Sequence, residues 1–445
     1  KAEFTAIDYR PSDELADEEY PLVLSTGRIL YHYNSATQTR REPGSQAKQS
    51  ENFVEMHRRD ARKLALWDGD PVRVKILGEE LVAFRDSSGA VGLIDSRCPH
   101  RQAELFWGRN EEEGLRCVYH GWKFDREGSC LDMPSEPPDS QFKDKVSITA
   151  YPTREWGGFI WTFMGPKELI PNLPEFEFAK VPQDNFFVSK KLQECNWAQS
   201  LEGAIDTAHF SFLHMLLELP DDAPAAWHYM KADGAPRFTI LPTEAGFLIG
   251  GARKAGNLES YWRITQFLLP NHSLAPGAER GQNMNGQTWV PIDDESCWIF
   301  CYTWNPGRPI TNEEIDVMRS GGSSIHTMTD DNFRPLANID NDYLIDREAQ
   351  RKTSFTGISG IANQDTYIQN SQGVVYDRTK EHLGSTDQAI LEFRKMMLQK
   401  VRYLLEGEEP IEAQNSEAYF VQSGAEIAPR EWELKEVTEK RFRRE

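Results

Sequence analysis

The spacing of apolar residues changes along this chain and divides it into stretches of different expected structure. Between Val72 and about Ile160 the apolar residues fall in short runs broken by turns: Val72-Arg73-Val74-Lys75-Ile76, Leu81-Val82-Ala83-Phe84, and Asp86-Ser87-Ser88-Gly89 as a hairpin turn. Runs this short predict strands. Residues 71–165 are therefore expected to form a small all-β domain, with a late strand over 157–163. Upstream, residues 1–20 are charged and aperiodic, 20–24 read as a strand, and 34–52 as a polar loop. A short helix is expected near 58–65, then a turn at Asp68-Gly69-Asp70-Pro71. Downstream, Pro-rich residues 165–184 read as a linker, and a helix is expected from about 196 to 217. Strand signals return at 238–240, 247–249, 261–264 and 297–300. Ala389, Ile390, Phe393, Met397, Val401 and Leu404 recur at helical spacing, and Ser385-Thr386-Asp387 offers N-cap chemistry before them. The fold class expected is α+β, with no internal repeat.

Composition narrows the setting. With 445 residues the chain can hold two or three domains, and a formal net charge of −20 disfavours nucleic acid and anionic membranes as partners. No apolar run is long enough for a transmembrane helix, and no secretory signal is seen. Six cysteines without a disulfide pattern suit a reducing cytoplasm.

Two of those cysteines carry the strongest chemistry. Cys98-Pro99-His100 is followed, after sixteen residues, by Cys117-Val118-Tyr119-His120. Each pair mixes one thiolate and one imidazole. This is the Rieske arrangement, in which one iron of a [2Fe–2S] cluster keeps two thiolates and the other takes two imidazoles. A zinc site also accepts Cys₂His₂, but its spacing usually pairs like with like. Less anionic imidazoles make the cluster a better electron acceptor than an all-Cys one.

A second constellation is Glu202-x₃-Asp206-x₂-His209-x₄-His214. On a regular helix Glu202, Asp206 and His209 would fall at about 0°, 40° and −20°, with His214 about 140° from His209. For both imidazoles to reach one metal, the helix must widen or end between them. Two His and a distant carboxylate make the facial triad of non-haem Fe(II) oxygenases. Spacing alone leaves Asp342, Asp346, Asp365, Asp377 and Asp387 open as the third ligand.

With both motifs in this order, the chain resembles the Rieske non-haem iron, aromatic-ring-hydroxylating oxygenase α subunits, and within them the phthalate dioxygenase group. Supporting strings are Cys117-Val118-Tyr119-His120-Gly121-Trp122-Lys123-Phe124-Asp125, Asp132-Met133-Pro134-Ser135-Glu136-Pro137, and Gln364-Asp365 with Ser371-Gln372-Gly373 and Asp377-Arg378. The resemblance covers residues from about 70 onward. It implies a Rieske domain over 71–165 and a helix-grip (START-like) catalytic domain with a long antiparallel sheet over 166–445. It implies one [2Fe–2S] cluster on Cys98, His100, Cys117 and His120, and one mononuclear Fe(II) on His209, His214 and Asp365. It further implies a homotrimer or dimer of trimers, in which His120 of one subunit meets Asp206 of its neighbour and Asp206 bonds His209. Electrons would come from NADH through a separate flavin/iron–sulfur reductase, to hydroxylate an aromatic acid with O₂. Arg237, Arg253 and Arg263 are candidates to grip its carboxylate.

Residues 20–70 depart from that family. They resemble part of the C-terminal cofactor-binding domain of molybdopterin oxidoreductases such as formate dehydrogenase, through Tyr20-Pro21-Leu22-Val23-Leu24-Ser25-Thr26-Gly27-Arg28, Val54-Glu55-Met56 and Asp68-Gly69-Asp70-Pro71-Val72-Arg73-Val74. Too little of such a domain is present to hold its cofactor, so residues 1–70 are taken as an atypical segment, a fusion or an assembly chimera. Alternative readings of the whole are an O-demethylase or other monooxygenase, and an electron-transfer protein without oxygenase activity. Residues 202–214 and Asp365 discriminate, because an electron carrier needs no facial triad.

Overall fold

The computed structural model describes residues 51–54, 70–276 and 281–442. The strand expected at 20–24 and the helix expected at 58–65 lie outside them. In the N-terminal part the strands are β1 (Glu51–Val54), β2 (Val72–Ile76), β3 (Glu79–Arg85), β4 (Val91–Asp95), β5 (Arg109–Glu111), β6 (Gly114–Arg116), β7 (Lys123–Phe124), β8 (Cys130–Asp132), β9 (Ala150–Tyr151), β10 (Thr153–Trp156) and β11 (Phe159–Phe163). They make three small antiparallel sheets, ordered β2-β3-β4-β9, β5-β6-β7-β8 and β1-β11-β10. The loop expected over 34–52 gives way at its end to β1, which pairs with β11. The strand expected from 157 starts at Phe159, because Gly157 and Gly158 turn the chain at positive φ. The Asp86–Gly89 turn forms as read: the Asp86 carboxylate accepts from the N–H groups of Ser88 and Ala90. Val82, Phe84, Ile94, Leu105, Leu115, Trp122 and Phe124 fill the core beneath β5–β8, with Cys98 and Cys117 at its upper edge.

The C-terminal part is one large antiparallel sheet: β12 (Phe186–Gln193), β13 (Arg237–Thr243), β14 (Gly246–Ala255), β15 (Glu259–Leu268), β16 (His272–Ala275), β17 (Met284–Pro291), β18 (Cys297–Trp304) and β19 (Gly424–Pro429), in the order β12-β18-β17-β16-β15-β14-β13. β19 pairs along β15 from Glu259 to Ile264, and β16 continues along it from Gln266 to Leu268.

β18 explains the layering. It reads Cys-Trp-Ile-Phe-Cys-Tyr-Thr-Trp, and all eight residues are buried. Side chains alternate across a strand, so Cys297, Ile299 and Cys301 join one core, and Trp298, Phe300, Tyr302 and Trp304 join another. A one-residue slip would exchange the two sets, so the register is firmly specified. The first core faces the helices α1 (Trp197–Ile205), α5 (Ile361–Ser371) and α6 (Gln388–Leu405). The second is covered by residues of 165–184, where Phe178 stacks on Tyr302 at 4.2 Å. That Pro-rich stretch is thus no free linker but a cover packed on the sheet, with Phe176 and Phe178 fully buried. The remaining helices are α2 (Ala225–Ala232), α3 (Asn312–Arg319), α4 (Arg347–Lys352) and α7 (Leu434–Arg441). Among the described residues no helix is long and apolar enough to cross a membrane. The expected helix at 389–404 is α6, although the Asp387 carboxylate bonds back to Gly384 N–H rather than into the helix.

Candidate metal centres

Two loops at one end of the β5–β8 sheet are built alike. In the first, Cys98 N–H donates to Ala103 O (2.8 Å), Gln102 N–H donates to Cys98 O (2.9 Å), and Gln102 takes φ +61°. In the second, Cys117 N–H donates to Trp122 O (2.8 Å), Gly121 N–H donates to Cys117 O (3.0 Å), and Gly121 takes φ +79°. Glycine suits that second turn twice: a Cβ there would also meet Pro134 Cγ at 2.5 Å. The Arg116 guanidinium braces it, bonding Gly121 O, Glu111 (2.7 Å) and Asp132 (2.8 Å).

These turns bring the four sequence-predicted residues together in two like pairs. The Cys98 and Cys117 thiols are buried and share a hydrogen bond, which pushes Cys98 up and holds Cys117 down at about 6. Backbone N–H groups of His100, Tyr119 and His120 point at the sulfurs. The imidazoles of His100 and His120 meet edge to face at 4.4 Å, and His100 lies flat on the Trp122 indole at 4.4 Å. His120 Nδ1 is buried without a hydrogen-bond partner. Two adjacent thiols, two adjacent imidazoles and an orphaned ring nitrogen suit a binuclear cluster with one iron on each pair.

The second centre follows from where α1 stops. Asn196 caps its start, accepting from Ala198 N–H. The helix expected to reach residue 217 ends at Ile205, so Glu202, Asp206 and His209 do not share one helical face. The cause is local: the Asp206 carboxylate accepts from Ala208 N–H at 2.7 Å, a turn that competes with continued helix. A 3₁₀ turn over His209–Ser211 then reverses the chain and returns His214 beside His209.

His209, His214 and Asp365 converge. The two Nε2 atoms are 3.0 Å apart, and Asp365 Oδ1 lies 3.2 Å from His214 Nε2 and 3.6 Å from His209 Nε2. The far nitrogens decide what these atoms are. Asp206 Oδ2 sits 3.3 Å from His209 Nδ1, so that nitrogen carries the proton. Gln364 Nε2 donates to Ile358 O at 2.7 Å, which turns its oxygen to His214 Nδ1 at 2.7 Å, so that nitrogen is also a donor. Both Nε2 atoms are left as bare lone pairs facing each other and a carboxylate oxygen. Such a trio is repulsive unless a cation lies between them, and cis ligands about 2.1 Å from one ion lie about 3.0 Å apart. Burial raises the cost of ionising Asp365, but the His214 and His209 imidazoles and Lys191 hold its carboxyl below the ordinary value. Burial also opposes charge on His209, and the Asp206 carboxylate outweighs it.

Gln364 escaped the sequence reading. It was visible only as the neighbour of Asp365 on a candidate helix, with nothing to say which way its amide faced. The other aspartates have different duties. Asp346 caps α4, Asp377 accepts from Thr379, and Asp387 bonds Gly384. Glu202 is held by the guanidinium groups of Arg394 (2.7 Å) and Arg378 (2.8 Å), away from the trio.

α5, which carries Asp365, docks through a ladder of buried polar groups. Lys191 Nζ donates to Ala362 O and Thr366 Oγ1, Gln193 to Asn370, Gln199 to Gln369 O and Gly373 O, and Ser200 to Gln369.

The three arginines separate. Arg237 is exposed, over the Trp262 ring, and is not brought to the centre. Arg253 and Arg263 are buried on β14 and β15, beneath the 206–212 turn, and neither forms an ion pair with a described carboxylate. Arg253 bonds Thr207 O (2.7 Å), Asp233 O (3.1 Å) and Ser211 Oγ (3.2 Å), and its Nη1 has no partner. Arg263 bonds Thr207 Oγ1 (3.2 Å) and lies over the Phe210 ring at 4.1 Å. Burial and the neighbouring Arg263 push Arg253 down to about 10.

Comparison with known proteins bears on both centres. Residues 58–152 match the Rieske [2Fe-2S] domain, residues 162–442 match the LigXa C-terminal domain like family, and residues 22–76 match a Molydopterin dinucleotide binding domain. The chain is 39% identical to the 3-chlorobenzoate-3,4-dioxygenase oxygenase subunit of Comamonas testosteroni, over 82% of this chain and 88% of that protein. It is 40% identical to the phthalate 4,5-dioxygenase oxygenase subunit of Pseudomonas putida, over 77% and 80%. The fold is shared with the QL mutant of NdmA from Pseudomonas putida CBB5, at 16% identity and TM-score 0.55, covering 82% of this chain and 92% of that one. A [2Fe–2S] domain, a catalytic sheet behind it and relatives of this identity over most of their length place the chain in the family of Rieske non-haem iron oxygenase subunits.

Proposed function

We propose that Cys98, His100, Cys117 and His120 hold the [2Fe–2S] cluster, that His209, His214 and Asp365 hold one Fe(II), and that the substrate is an aromatic carboxylate. The observation that carries the second assignment is the trio of acceptors within 3.0–3.6 Å, with both imidazoles turned inward by their own partners, Asp206 and Gln364. Bound there, iron supplies O₂ activation and the cluster supplies electrons. The chain's own groups do the rest. Asp206 and Gln364 fix the two imidazole tautomers, and carboxylates or amides behind metal-bound His commonly set orientation and basicity. Arg253 and Arg263 offer buried positive charge that no ion pair among the described residues neutralises, an environment that favours an anionic substrate. The relatives named for chlorobenzoate and phthalate are consistent with that choice.

The same reading includes a head-to-tail homotrimer, or a dimer of trimers, with His120 of one subunit against Asp206 of the next, and a flavin/iron–sulfur reductase in a cytoplasmic setting. Val118 (58% exposed) and Tyr119 (53% exposed) flank His120 at the loop tip, and the Asp206 side chain is 23% exposed. All six cysteines are free.

Iron analysis tests it. The loaded chain should hold about three irons, two in the cluster and one in the triad. His214→Ala should hold about two, with the cluster spectrum unchanged. A parent chain with about two irons that oxidises neither benzoate- nor phthalate-like acids would refute the proposal.

A further inference from the structure

Lys191 is a buried lysine that is no ligand of the proposed triad yet bears on Asp365 from the sheet side. It lies on β12, opposite Ile299 of β18, and is 3% exposed. Its Nζ donates to Ala362 O at 3.1 Å and to Thr366 Oγ1 at 2.9 Å. Those residues flank Asp365 on the first turns of α5, and the Thr366 hydroxyl closes the triangle by donating to Ala362 O at 2.8 Å. Burial pushes the Lys191 ammonium down from its ordinary value, and the groups that oppose this are Cys301, Asp365, Cys297 and Cys195. Burial pushes all three thiols up, Cys195 to about 12, so they are neutral. Asp365 is then the one charged carboxylate among those named neighbours, and it does not form a direct ion pair with Lys191. Burying an ammonium this way is costly, and a methionine of similar length would fill the space without that cost.

We infer that Lys191 is a positioning residue for the triad: it locks the α5 turn that carries Asp365 and brings an ammonium charge close to that carboxylate, so that the centre favours a divalent over a trivalent ion. The inference rests on the proposed triad. A positive charge near a metal opposes each added unit of positive charge on it. It therefore destabilises Fe(III) more than Fe(II), while a purely structural lysine would leave that balance alone.

The test compares Lys191→Gln, which keeps a hydrogen-bond donor but not the charge, with Lys191→Met, which keeps neither. Both proteins carry the cluster, whose spectrum reports folding and whose potential is an internal standard. The mononuclear Fe(III)/Fe(II) potential and Co(II) affinity, followed by visible absorption, are the readouts. Both variants should favour Fe(III) at least tenfold more than the parent, a fall of about 59 mV for one electron, with Co(II) bound more tightly. A Lys191→Gln potential and Co(II) affinity both within twofold of the parent would overturn the inference. A shift only in Lys191→Met would also overturn it, since hydrogen bonding alone would then explain the residue. If Lys191→Met loses the cluster spectrum, Lys191→Gln decides. A parent chain that binds no Co(II) and no third iron would instead overturn the triad itself.

Discussion

Replacing Asp206 with Asn changes one atom and leaves the turn two donors to satisfy. The carboxylate now accepts from Ala208 N–H at 2.7 Å through Oδ1 and faces His209 Nδ1 at 3.3 Å through Oδ2. Asn offers one oxygen and one NH₂. If the oxygen stays on Ala208, the NH₂ confronts His209 Nδ1–H. The imidazole must then shift its proton to Nε2, the nitrogen that faces His214 and Asp365, or lose its anchor. If the amide flips, the turn that ends α1 is lost instead. Either way one hydrogen bond to a charged group disappears, about 1.5–3 kcal/mol, which corresponds to roughly 10–100-fold in metal affinity. The assay is titration of Fe(II) or Co(II) into protein stripped of its mononuclear metal, with the cluster left in place. At saturating iron the site should still fill, while cluster oxidation and product formation stay severely slowed, since the proposed bridge to the neighbour's His120 has lost its charge. A metal affinity within twofold of the parent would refute the tautomer argument, and normal turnover in the filled variant would refute the bridge.

Arg263→Met should raise KM for an aromatic carboxylate by roughly 10–100-fold, the worth of a charge-assisted contact, with iron content unchanged; equal KM values would remove Arg263 from the substrate site. Glu202→Ala should cost about 1.5–3 kcal/mol, the worth of hydrogen bonds to a charged group, because Arg378 and Arg394 lose a carboxylate whose side chain is only 7% exposed while Arg394 keeps Glu381, and a thermal melt should fall accordingly. Arg394 holds the Glu381 carboxyl down at about 2 against the opposing effect of burial. Its folded value lies below the unfolded value of about 4.3. Its contribution is therefore whole above about pH 4.3 and is lost as pH falls toward about 2. Glu381→Gln should flatten the parent's loss of stability across that window in pH-dependent melts.

Much of this architecture was readable before any coordinates, for reasons that differ by element. The two Cys/His loops were legible because the chemistry fixes both residue type and short spacing. The first half of β18 was legible because Cys297-Trp298-Ile299-Phe300 is apolar without a break, though sequence alone could not say that Trp298 and Ile299 feed different cores. The helix over 196–217 was misjudged because apolar spacing continues past Ile205, whereas the Asp206 carboxylate captures Ala208 N–H and ends the helix there. Asp365 could not be chosen by spacing, since about 150 residues of strands, helices and loops separate it from His214 and only the folded topology brings α5 against α1. Gln364 and Lys191 were silent because their roles depend on where an amide or ammonium points.

The docking of α5 has a consequence for how this domain can change its substrate. Apolar surfaces slide over one another at little cost, but hydrogen bonds weaken steeply with misalignment. The helix bearing Asp365 is fastened by Lys191, Gln193, Gln199 and Ser200, so its seat is defined by direction rather than by bulk. Residues that shape the space for an aromatic ring can therefore be exchanged for larger or smaller ones without carrying the carboxylate along. A lineage could then explore many substrates while its O₂ chemistry stays in place.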